Sequence, residues 1–129
     1  MKNLLLILSF LLVNSCSNPV TPVPDQPVTV SLNGTPLEML AWAHRSGPEL
    51  EIFAYDSTQN IRVIVDSCTI GVHPVFLQYQ IGPIVHTADR AQVLITNTKD
   101  YLSAGVSFHV NLPDQGIEGT VKIDSLITK

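Results

Sequence analysis

From residue 28 onward, apolar and polar positions alternate in short runs. Val28, Val30 and Leu32 alternate with Thr29 and Ser31, and Leu50, Ile52 and Ala54 with Glu51, Phe53 and Tyr55. Ile61, Val63 and Val65 alternate with Arg62, Ile64 and Asp66, and Leu102, Ala104, Val106, Phe108 and Val110 share one face of a longer run. A period of two is the signature of a pleated strand with one buried face. β-branched residues dominate these runs, as a half-buried pleated surface favours. Asn33-Gly34 follows the first run and is the strongest short hairpin signal, because both residues tolerate φ > 0. Gly47-Pro48, the polar stretch 56–60 and Asp114-Gln115-Gly116 separate the later runs.

Further strands are predicted over 38–45, 91–96 and 117–127. Residues 38–44 are good helix formers, but the stretch is shorter than the ~12 residues an isolated helix wants. The middle is broken by Gly71, Pro74, Gly82 and Pro83 and predicts only a short apolar piece at 75–79. Short strands spaced by turn signals define an all-β class: an antiparallel β-sandwich, or a partly open barrel, of about seven to eight short strands. The sharpest expectation is the register of 102–110. Phe108 points into the core there, and Ser103, Ser107 and His109 point out, because a one-residue slip would expose every large apolar side chain of the run.

The N-terminus breaks the pattern. Lys2 precedes an uncharged apolar run over 4–13, then Asn14, the small residue Ser15, and Cys16. A positive start, an apolar middle and a small residue before the cut form a signal peptide, and a cysteine directly after the cut makes it look like a bacterial lipoprotein signal. The apolar run is too short for the ~20 residues of a membrane-spanning helix. The expected organisation is a lipoprotein signal peptide at 1–15, a lipidated Cys16 with a Pro-rich tether through 27, and a β-domain at 28–129. Pro19, Pro22, Pro24 and Pro27 make the tether a semi-rigid spacer. Ser17 stands where an aspartate would signal retention at the inner membrane by analogy with proteobacterial sorting. The expected location is therefore the cell envelope, anchored at the outer membrane.

Composition narrows the partners. The net charge is −4, and the charges are scattered without a run of one sign. Phosphate backbones demand clustered Lys and Arg, so nucleic acid is excluded as a partner. Only two cysteines are present. With Cys16 acylated, Cys68 has no intrachain partner, and it reads as a small buried hydrophobe in a fold that stands on its core alone.

A family resemblance runs along the mature chain. Leu32-Asn33-Gly34-Thr35-Pro36, Leu102-Ser103-Ala104-Gly105-Val106-Ser107-Phe108 and Ile117-Glu118-Gly119-Thr120-Val121 resemble three strand motifs of small Bacteroidetes-type lipoproteins of unknown function. Leu37 stands where that family favours an aromatic, and Ala104 is an extra residue before the glycine. The resemblance implies a β-sandwich on a lipid anchor and carries over no activity and no functional residue.

Candidate chemistry is sparse. His44, His73, His86 and His109, with Cys68, are zinc-type ligand residues, but no two histidines lie within four residues of each other, so no metal site is assigned. Ser103 or Ser107 with His109 and Asp100 would be a nominal hydrolytic set. Residues two apart on a strand lie about 6–7 Å apart, too far for a direct Ser–His hydrogen bond, and no catalytic residue is assigned. Glu49 and Glu51 read as solvating charges. Trp42, Phe53, Tyr55, Phe76, Tyr79 and Tyr101 are the aromatics of interest. Phe53 and Tyr55 share a strand face with Glu49 and Glu51, which makes Trp42, Phe53 and Tyr55 the candidate ligand-binding set. The alternative is that they pack a second layer of the sandwich. The expected function is a cofactor-free, non-catalytic, lipid-anchored envelope binding or structural lipoprotein. Its membrane contact is the lipid on Cys16, and its partner is an envelope protein or a glycan. The alternative is a carbohydrate-binding accessory lipoprotein using exposed aromatics; a small metal-dependent or hydrolytic enzyme stands third.

Overall fold

The structure is a computed structural model that describes residues 24–128. The expected signal peptide, Cys16 and most of the tether lie outside the described residues. Ten antiparallel strands and no helix make up the described chain: β1 (Gln26–Leu32), β2 (Thr35–Ser46), β3 (Glu49–Tyr55), β4 (Gln59–Val65), β5 (Gly71–Pro74), β6 (Phe76–Ile81), β7 (Ile84–Thr87), β8 (Arg90–Asn97), β9 (Leu102–Asn111) and β10 (Gly116–Leu126). They form one sheet in the order β5-β8-β9-β10-β1-β2-β3-β4-β6-β7. The sheet curls into a half-barrel around a single core, so the expected pair of packed sheets is replaced by one sheet, nearer to the partly open barrel.

The strand count exceeds the expected seven to eight because the middle of the chain is a bent hairpin. Its arms are 71–81 and 84–97. Toward its turn the arms pair as β6 with β7, and β6 also pairs with β4; away from it they pair as β5 with β8, and β8 also pairs with β9. The Ala88 amide donates to the Leu77 carbonyl at 2.9 Å and the Val75 amide to the Ala91 carbonyl at 3.3 Å, carrying the pairing across the bend. Between these contacts one arm has one residue more than the other, which is the count of a β-bulge. Thus the two end strands of the sheet, β5 and β7, belong to the two arms of one hairpin. The punctuation by Gly71, Pro74, Gly82 and Pro83 hides this extended backbone from a reading by periodicity. Gly82-Pro83, like Gly47-Pro48, is a two-residue hairpin turn with the glycine at positive φ.

The predicted alternation is realised on the other strands. Asn33 and Gly34 have φ of 50° and 84° and close the β1–β2 hairpin, as a mirror-image turn requires. β1 starts at Gln26 and β2 extends over Thr35–Ser46, so residues 38–44 are strand rather than helix. In β9, Leu102, Ala104, Val106, Phe108 and Val110 are buried while Ser107 is exposed. The core draws on β1 to β4, β6 and β8 to β10, and it includes Tyr79 and Cys68. Ala41, Ala43, Ala54 and Ala104 point inward, and their small side chains leave room on the concave side for the sheet to curl.

Candidate functional site

Inward packing of Ala41, Ala43, Ile52 and Ala54 forces the intervening residues of β2 and β3 onto the outer face. Trp42 and Phe53 are direct register partners there. Their rings stack at 5.5 Å between centroids with 30° between planes. Tyr55 lies two residues along β3, with its ring 5.8 Å from that of Phe53. The three expected ligand-binding residues are thus brought together. All three are half-buried. No second sheet packs over them among the described residues, which corrects the reading that they fill a second layer. Of the other aromatics, Tyr79 is a core residue whose hydroxyl donates to Gln59 Oε1 at 2.5 Å, Phe76 is exposed on β6, and Tyr101 is exposed in the β8–β9 loop.

Register extends the aromatic set into a row. Phe53 pairs with Arg62 on β4, Arg62 with Gln78 on β6, and Gln78 with Thr87 on β7. The parallel row below runs Leu40, Tyr55, Asn60, Gln80 and Val85. The Arg62 guanidinium lies 5.7 Å from the centre of the Phe53 ring, a cation–π geometry. Its Nε lies 3.0 Å from Glu51 Oε2 in an ion pair, so Glu51 is a paired carboxylate rather than a free solvating charge. A groove of about 280 Å³ is bounded by Phe53, Asn60, Arg62, Gln78, Gln80 and Val85. Arg62, Asn60, Gln78 and Gln80 were not singled out from the sequence. Alternation alone places Arg62 on the outer face, but only cross-strand register sets it against Phe53.

At the other end of the row the Tyr55 hydroxyl donates to Asp25. That hydrogen bond, with partial burial and the Asp25 charge, holds the Tyr55 phenol above its ordinary pKa. Asp56 sits at the β3–β4 turn. Partial burial pushes its carboxyl up, but Oδ1 accepts from the Thr58 amide at 2.8 Å and the Gln59 amide at 2.9 Å, and the net shift is downward.

The nominal hydrolytic set does not assemble. His109 was expected to face solvent, but its ring is half-buried over Gly116. Its Nδ1 is 2.7 Å from Asp89 Oδ1 and its Nε2 is 3.6 Å from Glu118 Oε2. Nδ1 is thus paired with Asp89, Nε2 only lies near Glu118, and neither is hydrogen-bonded to Ser107. Asp100 lies in the β8–β9 loop at a φ of 72°. His44, His73 and His86 sit on β2, β5 and β7. Among the described residues no group of three His, Cys, Asp or Glu side chains could hold a metal ion, and no helix is long and apolar enough to cross a membrane. No family model, curated protein or solved structure matches the chain.

Proposed function

We propose that the protein is a non-catalytic binding lipoprotein of the cell envelope, held to the outer membrane by a lipid on Cys16, which presents its outer β2–β3–β4 face to a partner. The Trp42–Phe53–Tyr55 stack with Arg62 beside it carries this reading. Aromatic side chains and arginine on a rigid sheet are the residue types that dominate binding energetics, because they offer large contact area at low entropic cost. The remaining outer face supports it by contrast. β1, β8, β9 and β10 present Thr29, Ser31, Gln92, Ser107, Thr120 and Lys122 outward, with Leu94 of β8 as an exposed apolar exception. The anchor rests on the sequence 1–16 and on the resemblance to small Bacteroidetes-type lipoproteins. Metabolic labelling with an alkyne analogue of palmitate tests it. Label and membrane fractionation are both expected in the wild type and both lost in Cys16→Ala; labelling unchanged by Cys16→Ala would refute the anchor.

A further inference from the structure

We infer that the outer row from Trp42 to Gln78, with the groove between β3 and β7, is a binding site for a neutral glycan chain laid across the strands. The inference rests on the reading that this face is the binding surface.

The row is straight because its members are successive register partners on β2, β3, β4 and β6. At a strand spacing of ~4.8 Å it spans roughly 14 Å, a length that suits linked rings rather than one small molecule. Its chemistry is graded. Rings stand at one end, planar amides at the other, and Arg62 between them. A pyranose has the matching duality: apolar C–H groups that pack against the half-buried, mutually stacked rings, and hydroxyls that each donate and accept. Side-chain amides answer such hydroxyls with two donors and one acceptor oxygen each. Among the described residues Gln78 makes no side-chain hydrogen bond, and Arg62 is paired only through its Nε. Two bonding groups therefore face the groove with capacity to spare. A purely apolar ligand surface would leave both unanswered, at the desolvation cost of unpaired polar groups.

Charge selects the neutral class. The Arg62 charge is matched by Glu51 at 3.0 Å. Asp56 closes the adjoining turn. Among the described residues no unmatched Lys or Arg borders the row, and the whole chain is acidic, so a uronate or sulfated chain would meet repulsion.

Trp42 is the only tryptophan and reports on its own site. The full-length protein, in a detergent without sugar headgroups, is titrated with cellohexaose, xylohexaose and mannohexaose, and with hexagalacturonate as the anionic arm. At least one neutral hexasaccharide should change Trp42 emission saturably. Gln78→Ala should weaken it by about tenfold, the equivalent of ~1.4 kcal/mol, with the melting temperature kept. Thr120→Ala, on the polar side, should leave it unchanged, and hexagalacturonate should not compete. Silence across the neutral panel, undiminished binding in Gln78→Ala, or equal binding of hexagalacturonate would overturn the proposal. A photo-crosslinking residue at Gln80 separates the two levels. If it captures a protein in cells while the neutral panel is silent, the glycan is refuted and the binding face stands; if neither occurs, both fall.

Discussion

Phe108 shows how much one contact carries. It is buried on β9 opposite Gly119 of β10. A Cβ on Gly119 would lie 2.2 Å from its ring tip. The glycine is therefore the floor on which the ring lies. Phe108→Ala removes that buried ring and leaves a cavity, with an expected loss of about 3–5 kcal/mol in denaturant unfolding. Gly119→Ala should cost about 1–3 kcal/mol through overpacking. Combined with Phe108→Leu it should cost less than the two changes summed, since the shorter side chain clears the new methyl; strict additivity would show that the ring does not rest there. Acid sensitivity belongs to the same scale. Asp89 accepts a hydrogen bond from His109, and that bond is the main reason its carboxyl lies below the usual 3.8. Asp56 is lowered by its turn amides, against the opposing effect of burial. A depressed folded-state pKa contributes stability that is present above the unfolded value and is lost as pH falls through the folded one. The urea midpoint should therefore hold above about pH 5 and decline below about pH 4. Asp89→Asn should flatten that decline, and an unchanged slope in Asp89→Asn would mean that Asp89 plays no part in it.

Among the elements, the β1–β2 hairpin ties two parts of the sheet together. Asn33 holds the positive-φ turn. Its side chain also accepts from the Glu118 amide at 2.8 Å, and its own amide donates to the Glu118 carbonyl at 2.8 Å. Asn33→Ala loses the side-chain bond and strains the turn, for an expected cost of about 1–3 kcal/mol by denaturant unfolding. Asn33→Gly, which restores the backbone freedom, should cost measurably less; equal losses would place the whole effect in the hydrogen bond. This hairpin was legible from Asn33-Gly34, and β3, β4 and β9 from their alternation, because each has one face in the core and one outside it. β5, β6 and β7 were not. They change pairing partners at Val75, so no period of two runs the length of either arm, and Gly82-Pro83 reads as a break although it is a hairpin turn. Similarly, Phe53 and Tyr55 could be placed on one face, opposite Leu50, Ile52 and Ala54, from alternation; Trp42 could not, because Met39, Ala41 and Ala43 alternate with Leu40 and Trp42 and no polar side marks the outside. Arg62 and Gln78 could not be joined to them, because register across four strands depends on loop geometry and bulges rather than on any local pattern.

For the molecule as a whole, one curled sheet encloses one core, and its outer surface is divided. β2, β3, β4 and β6 carry rings, amides and Arg62; β8, β9, β10 and β1 are mainly polar. Stability does not draw on a disulfide among the described residues, where Cys68 is free and buried. Maleimide should leave Cys68 unmodified in the native protein and react across the same urea range in which the fold is lost; rapid native labelling would show that the thiol is not part of the core. The division of the outer surface is the basis of the functional account, and in-cell photo-crosslinking from its two halves tests it most directly. A diazirine side chain placed at Gln80 should give adducts in intact cells, while the same group at Thr120 should give none. Adducts at neither position, or equally at both, would contradict the assignment of binding to the aromatic face.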